Sequence, residues 1–432
     1  MKFLPQIYLT AIIYILTFLL ISCRSPKPGR HAEHLFTQIF PDHSQLFFEN
    51  RLNETNEHNY LIDENFITGG GVAIGDINND GLPDIYFSGN QVVDRLYLNQ
   101  GNLTFLDISK QSGIWNIERK NWSTGVTFAD INADGWQDIY VCKYVYHDNS
   151  LSDNKLFINN GNLTFTESAE KFGIADQGFS IQGSFFDYNL DGLLDLYVVN
   201  QPPSYGNRSG LPGLPPVQSK RYSDRLYKNF GEGVGFTDVT HIARLRNQAY
   251  GLSSAIGDVN NDGWPDIYVT NDYKQPDHMY LNNGNGTFRE VIHDSFGHIS
   301  NFSMGSDIAD YDNDGLLDIY IVDMVAEDNK RIKTYMGGMN PSDFWKVVNS
   351  GGHYQYMYNT LQRNNGNGYF SDMAQIAQVS NTDWSWGPLI ADFDNDSYKD
   401  IFITNGIKRN MRHSDITQRQ KEYIDSIRQT LA

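Results

Sequence analysis

Six copies of one nine-residue pattern, Asp-x-Asn/Asp-x-Asp-Gly-x-x-Asp, constrain this 432-residue chain more than any other feature. They read DINNDGLPD from Asp76, DINADGWQD from Asp130, DYNLDGLLD from Asp187 and DVNNDGWPD from Asp258. DYDNDGLLD from Asp310 and DFDNDSYKD from Asp392 follow, the last with Ser397 in place of glycine. Oxygen side chains at positions 1, 3, 5 and 9 around a tight turn suit a hard cation. Ca²⁺ takes roughly 6 to 8 oxygens, and the backbone carbonyl at position 7 can supply one of them. The expected ligands are Asp76, Asn78, Asp80, Leu82 and Asp84 in loop 1, and Asp130, Asn132, Asp134, Trp136 and Asp138 in loop 2. Loop 3 offers Asp187, Asn189, Asp191, Leu193 and Asp195, and loop 4 offers Asp258, Asn260, Asp262, Trp264 and Asp266. Loop 5 offers Asp310, Asp312, Asp314, Leu316 and Asp318, and loop 6 Asp392, Asp394, Asp396, Tyr398 and Asp400. Up to six Ca²⁺ ions are expected.

The charge balance agrees. Four loops carry three carboxylates and two carry four, which makes twenty of the chain's 52 acids; the rest nearly cancel 33 Lys and Arg. The net charge of −19 is thus concentrated in the loops, and no basic face suited to nucleic acid is present. Loops 5 and 6 carry the fourth carboxylate, at Asp312 and Asp394, and are expected to bind most tightly. Ser397 works against loop 6, because a positive φ costs more once a Cβ is present.

The amino terminus reads as an export signal over residues 1–22, with Lys2 ahead of an apolar stretch, Leu9–Ile21. Leu20-Ile21-Ser22-Cys23 resembles a bacterial lipobox, which implies cleavage before Cys23 and its acylation. An uncleaved transmembrane anchor is the alternative. Residues 23–34 form a polar tether. The only other cysteine, Cys142, lies in an apolar strand pattern and is expected to be a buried, inert thiol.

Each loop is preceded by a short apolar run, such as GVAIG before Asp76, and followed by a β-rich run, such as DIYFSG or DIYVCK. A second strand pair follows with an Asn-Gly-rich centre, as in NKLFINNGNLTFTES, which suits a positive-φ hairpin turn. The unit is strand A, acidic loop, strand B, variable connection, strand C, turn, strand D. Four antiparallel strands at a period near 55 residues describe a propeller blade. Apolar residues at position 12, where an EF-hand needs Glu, exclude that motif, and the long period excludes a nine-residue β-roll.

These units resemble FG-GAP/VCBS repeats, the blades of integrin α-subunit propellers. The stretch from His34 through GGGVAIGDINNDGLPDIYFSGN is similar to bacterial lipoproteins related to cartilage acidic protein. The resemblance covers residues 35–410 and implies an all-β, calcium-binding propeller of four-stranded antiparallel blades, six to seven in number. Relatives continue into an ASPIC/UnbV domain. Here SDITQRQKEYIDSIRQTLA reads as a short helix within a tail at 406–432, and the expectation is a shortened relative whose propeller spans 35–405. Residues 35–40 (LFTQIF) resemble a strand D and are expected to help close the ring. The resemblance, with Arg24 after the expected lipidated cysteine, implies the outer membrane as the expected location.

Propeller geometry puts the acidic A–B loops on one face and the B–C and D–A connections on the other. The two long insertions, 202–222 and 326–356, are both B–C. Aromatic, variable loops on a rigid frame are where binding usually resides, and Tyr222, Tyr335, Trp345 and Tyr354 are the candidate ligand residues. The expected role is non-catalytic binding or adhesion to protein or glycan, with the membrane reached through Cys23 and no nucleic acid partner. The alternatives are a polysaccharide lyase or hydrolase and a scaffold subunit of an envelope complex. No HExxH, GxSxG or CxxC motif is present. Asp323, Glu327, Asp328 and His353 are the only acid/base candidates that can be assembled.

Overall fold

The computed structural model describes residues 35–56, 59, 64–67, 69–115, 121–145, 153–202, 220–231, 233–273, 275–335 and 339–406. The signal segment, Cys23, the tether, most of the first insertion and the tail helix lie outside the described residues.

Alternation between apolar and polar residues, broken by Gly and Asn, produces four-stranded antiparallel sheets. Blade 1 comprises β1 (Val72–Gly75), β2 (Asp84–Phe87), β3 (Arg95–Asn99) and β4 (Phe105–Asp107). Blade 2 comprises β5 (Asn121–Ala129), β6 (Asp138–Val145), β7 (Lys155–Asn159) and β8 (Phe165–Glu167). Blade 3 comprises β9 (Ser180–Phe186), β10 (Asp195–Asn200), β11 (Arg225–Asn229) and β12 (Phe236–Asp238). Blade 4 comprises β13 (Tyr250–Gly257), β14 (Asp266–Asp272), β15 (His278–Asn282) and β16 (Phe288–Glu290).

A short β17 (Ile299–Ser300) precedes β18 (Gly305–Ala309), β19 (Asp318–Val322) and β20 (Met324–Val325). After β21 (Gln355–Tyr356) come β22 (Thr360–Asn364), β23 (Phe370–Asp372), β24 (Asp383–Ala391) and β25 (Asp400–Asn405). Blade 5 is β18-β19-β22-β23, and the sixth sheet is β20-β24-β25. The first strands of successive sheets, β1, β5, β9, β13, β18 and β24, lie side by side. They run close together, so a Cβ at Gly125 in β5 would lie 2.4 Å from the Ile181 carbonyl oxygen in β9.

The core sits between blades. Tyr86 and Leu96 of blade 1 pack with Ile139 and Val141 of blade 2, and the pattern repeats at each junction up to Met304, Tyr320, Trp384 and Ile390 between the last two sheets. Burying apolar faces between neighbours makes each blade depend on the next.

Both ends of the row leave apolar surface open. Ile74 of β1 is 65% exposed, and Leu389 and Phe402 of the last sheet are exposed too. Residues 35–40, expected as a closing strand, form none, and Leu35–Ile39 are exposed, irregular chain. The last strand A is longer than its apolar run suggests, because β24 begins at Asp383. The second insertion is not a plain loop. It contains helices over Asn329–Tyr335 and Pro341–Asn349, the latter started by Pro341 and capped by Asn340, whose side chain accepts from the Ser342 N–H at 2.9 Å. Among the described residues, no helix is long and apolar enough to cross a membrane.

Candidate metal centres and the opposite face

All six loops close in the same way. The position-1 carboxylate accepts from two backbone N–H groups, at positions 5 and 6. In loop 1, Asp76 accepts from Asp80 at 3.2 Å and Gly81 at 2.8 Å; in loop 6, Asp392 accepts from Asp396 at 3.0 Å and Ser397 at 2.9 Å. Position 5 then caps the N–H at position 7, as Asp80 does for Leu82 at 2.8 Å and Asp134 for Trp136 at 2.9 Å. These turns demand positive φ at two residues: Gly81 at 83° and Asn79 at 58° in loop 1, Ser397 at 75° and Asn395 at 58° in loop 6. Ser397 therefore adopts the glycine conformation with a Cβ in place.

Position 9 faces inward. Asp84, Asp138, Asp195, Asp266 and Asp318 are fully buried. In loop 4, Asp266 Oδ2 accepts from the Val259 N–H at 3.0 Å, and Oδ1 from the Asn282 N–H at 2.8 Å. The same pair of bonds recurs in loops 1, 2, 3 and 5. Burial pushes Asp138, Asp195 and Asp266 up to about 7 and Asp318 to about 6, against the pull of those N–H donors. In loop 6, Asp400 is only partly buried and accepts from the Phe393 N–H alone among the described hydrogen bonds.

Sequence reasoning missed the partner of position 9. Asparagine ends each strand C (Asn99, Asn159, Asn229, Asn282 and Asn364); Asn159 and Asn282 were expected only as turn residues, and the other three carried no expectation. Its backbone N–H meets position 9, and in blades 2 to 5 its amide reaches the preceding blade: Asn282 Nδ2 donates to the Tyr188 carbonyl at 2.7 Å and Asn364 Nδ2 to the Val259 carbonyl at 2.6 Å, whereas Asn99 donates to the Pro83 carbonyl of its own blade. Its Oδ1 accepts from the turn glycine, as from Gly284 at 3.0 Å. The Trp264 indole at position 7 covers that glycine, so a Cβ on Gly284 would lie 2.9 Å from it. The signal was visible as five strand-C runs all ending in Asn.

Asparagine at position 4 links loops directly. Asn79 Nδ2 donates to the Gly135 carbonyl at 3.0 Å, Asn261 Nδ2 to Gly315 at 3.3 Å and Asn313 Nδ2 to Ser397 at 2.9 Å.

The donor set fits a hard cation. Asp310, Asp312 and Asp314 each place one oxygen within 4.8 Å of the others, as do Asp392, Asp394 and Asp400. Two position-3 oxygens, Asn189 Oδ1 and Asp312 Oδ1, are buried without a hydrogen-bond partner, and unpaired buried acceptors are costly. Two loops also contact a basic side chain from strand C. Arg363 donates to Asp312 Oδ2 at 2.6 Å and Asp314 Oδ2 at 2.9 Å, and Lys228 Nζ lies 3.1 Å from Asp191 Oδ2. Asp191 falls below its ordinary value: burial acts upward, but hydrogen bonds from Asn189 and Lys228 outweigh it. The extra negative charge expected for loop 5 is therefore offset, and among the described residues no ion pair offsets that of loop 6.

On the opposite face the candidate residues separate. Trp345 is 52% exposed and Tyr354 43% exposed. They flank Phe344, whose ring stacks on Tyr356 at 5.4 Å, and Tyr356 stacks on Tyr358 at 5.9 Å. Tyr222 instead stacks on Phe179 at 5.4 Å and belongs to the packing. The Tyr335 side chain lies outside what is described. Trp122 and Tyr144 are buried, also as packing.

Asp323 is fully buried and accepts from Ser300 Oγ, the Phe302 N–H and the Met324 N–H. His353 is buried, its nitrogens against the Tyr354 and Phe296 carbonyls, and burial lowers its pKa. No hydrogen bond or ion pair joins Asp323, Glu327, Asp328 and His353 to one another among the described residues. Cys142 is fully buried, and burial pushes its thiol far up. A cavity of about 810 Å³ opens between blades 3 and 4, lined by Arg225, Arg246, Gln248, Gln275 and His278.

Repeated acidic corners on successive antiparallel sheets make a propeller arrangement whose units are FG-GAP-like. The FG-GAP-like repeat model matches residues 76–141, 258–321 and 347–403, which include every loop except the third. The chain is homologous to cartilage acidic protein 1 over 78% of its length: it is 24% identical to the Xenopus tropicalis protein over 355 residues and 22% identical to the Mus musculus protein over 363. It spans about half the length of these curated relatives, 48% of each.

Among solved structures, an Agrocybe aegerita lectin described as recognising non-reducing terminal N-acetylglucosamine is 18% identical, with a TM-score of 0.42 over 77% of this chain and 73% of that one. A Bacillus licheniformis rhamnogalacturonan lyase is 11% identical, with a TM-score of 0.37 over 78% of this chain and 55% of that one.

Proposed function

We propose that this chain is a lipid-anchored, extracytoplasmic propeller that calcium stiffens and that binds protein or glycan without chemistry. The observation that carries the calcium reading is the recurrence of one oxygen cage six times, with Asn189 Oδ1 and Asp312 Oδ1 left unpaired inside it. Positions 1, 3, 5 and 9 of each loop would hold the ion, with the carbonyl of position 7. When bound, the ion supplies charge neutralisation. The chain's own residues supply the rest: position 1 shapes the turn, and position 9 ties the loop to strand C.

The aromatic group Phe344, Trp345, Tyr354, Tyr356 and Tyr358 supports a binding role. It presents flat apolar rings beside hydroxyls on a helix-braced insertion, a surface suited to a sugar face or a protein side chain. A glycan-cleaving enzyme is less well supported, because Asp323 and His353 are both committed to internal hydrogen bonds. The anchor at Cys23 and an outer-membrane address rest on the lipobox.

The test is a retention assay on polysaccharides and envelope extracts, with Ca²⁺ and with EGTA, alongside elemental analysis of the purified protein. Calcium-dependent retention without released product, lost in Trp345→Ala, is the expected result. Near-zero bound calcium would end the metal reading, and released oligosaccharide would favour the enzyme.

A further inference from the structure

Loops 1, 2 and 4 share a contact that loop 5 cannot make. In each of the three, the position-3 asparagine donates its amide to the position-5 carboxylate: Asn78 to Asp80, Asn132 to Asp134 and Asn260 to Asp262, all at 2.9 Å. This bond holds the outer oxygen of position 5 while its other oxygen caps position 7. An aspartate at position 3 has no N–H to give. Two carboxylates in that place repel each other unless a donor bridges them.

In loop 5 the bridge comes from another strand. Arg363 Nε donates to Asp312 Oδ2 at 2.6 Å and Arg363 Nη2 to Asp314 Oδ2 at 2.9 Å. The planar guanidinium spans both acids on their outer side. Asp312 Oδ1 is left unpaired, and Asp314 Oδ1 still caps the Leu316 N–H at 3.0 Å. Arg363 is the fourth residue of its strand C. The same place holds Leu98 in blade 1, Ile158 in blade 2 and Leu281 in blade 4, the blades whose loops carry the asparagine bridge. Blade 3 has both devices, since Asn189 donates to Asp191 at 2.9 Å and Lys228 approaches the same oxygen. Loop 6 has neither among the described residues, although it too carries aspartates, Asp394 and Asp396, at positions 3 and 5.

We infer that Arg363 is a positioning residue that replaces the missing asparagine amide, so that Asp312 and Arg363 form one interdependent pair and loop 5 keeps its shape without metal. Loop 6, with the same acids and no such bridge among the described residues, closes through the same backbone bonds but is held less firmly until a cation neutralises it. Arg363 touches the outer oxygens and leaves the inner ones to a ligand. It sets the resting order of the loop and is not itself a ligand. The inference concerns the metal-free loops and holds whether or not calcium is the ion they take.

The test is hydrogen exchange of the full-length chain in EGTA, read at the amides of Asp314, Gly315 and Leu316, which depend on the loop carboxylates. Arg363→Leu, the residue that blades 1 and 4 carry, is expected to speed exchange there several-fold while leaving 258–266 unchanged. Adding Asp312→Asn, which restores the asparagine bridge, is expected to return exchange to the wild-type rate. Wild-type loop 6, at Asp396 to Tyr398, is expected to exchange faster than loop 5 in EGTA. Unchanged exchange in Arg363→Leu, or a double variant no better than the single, overturns the inference. Should Arg363→Leu fold poorly, Arg363→Lys, which keeps charge but loses the two-pronged geometry, serves in its place. Failure of the calcium reading would instead appear as wild-type exchange that Ca²⁺ does not change in any loop.

Discussion

Loops 5 and 6 have nearly the same sequence and very different surroundings. Both carry four carboxylates, yet Asp318 is fully buried with both oxygens held by backbone donors, whereas Asp400 is partly buried and held by one. Arg363 bridges Asp312 and Asp314, and Asp394 sits beside Asp396, where desolvation and then the Asp396 charge raise its pKa.

The opposite ends of the two sheets differ in the same direction. In blade 5 the Tyr320 hydroxyl donates to the Val379 carbonyl at 2.8 Å and accepts from Asn359 at 3.0 Å. Equivalent tyrosines in blades 1, 3 and 4, Tyr86, Tyr197 and Tyr268, bond to Asp94, Asp224 and Asp277 just ahead of strand C. The sixth sheet has Phe402 there, without a hydroxyl. What separates the two sheets is strand C, which supplies a lock at each end of a blade. A loop motif encodes ligands; its neighbour strand decides how firmly they are held.

Removing calcium is expected to have the largest effect and to widen this contrast. If the loops take calcium as proposed, then with the free ion at ~1 mM and sites of ~10–100 µM each loop would contribute about 1.5–3 kcal/mol by mass action. EGTA should therefore lower the melting temperature markedly, and calcium should slow exchange in loop 6 more than in loop 5. Equal responses would break the comparison.

Next in size is the position-9 lock. Asp318→Ala leaves two backbone donors unpaired in a buried site and is expected to cost roughly 3–5 kcal/mol, while Asp400→Ala costs about 1 kcal/mol. Urea denaturation of both variants measures the gap. Similar losses would mean that strand C contributes little.

The buried loop acids predict an unusual pH response. Asp138, Asp195 and Asp266 lie near 7 and Asp318 near 6 in the fold, against an ordinary 3.8. The folded state thus holds more protons than the unfolded one across that interval. The stability these groups contribute is full below pH 4 and is lost as pH rises through 6 to 7. In EGTA the melting temperature should fall between pH 5 and 7.5. In calcium the fall should shrink, because the metal favours the ionised carboxylates. A flat profile in EGTA would contradict the burial of these acids.

The smallest effect is Ser397→Gly, which relieves a positive φ at loop 6 and is expected to add about 0.5–1 kcal/mol. No gain would place the weakness of loop 6 outside its turn.

Much of this was legible in the chain. The nine-residue pattern identified the loops, and the strand runs gave four antiparallel strands per blade. The Asn159-Asn160-Gly161 and Asn282-Asn283-Gly284 turns fell where positive φ is needed. Three things were less legible. Asn282 read only as a turn residue, and Asn364 carried no reading, because the second bond of each reaches a different blade. The segment 341–349 read as loop because a nine-residue helix inside an insertion has too few turns to show a period. Tyr222 and Trp345 looked alike, yet Phe179 lies under one and solvent over the other.

The chain's own pattern determined the blade, because a tight turn that gathers carboxylates and a strand that alternates its faces are both local matters of spacing. Which loop is braced and which ring is buried were settled only by the fold. Those answers depend on atoms fifty or a hundred residues away, and an unpaired charge or donor costs energy according to what packs against it, not according to its neighbours in the chain.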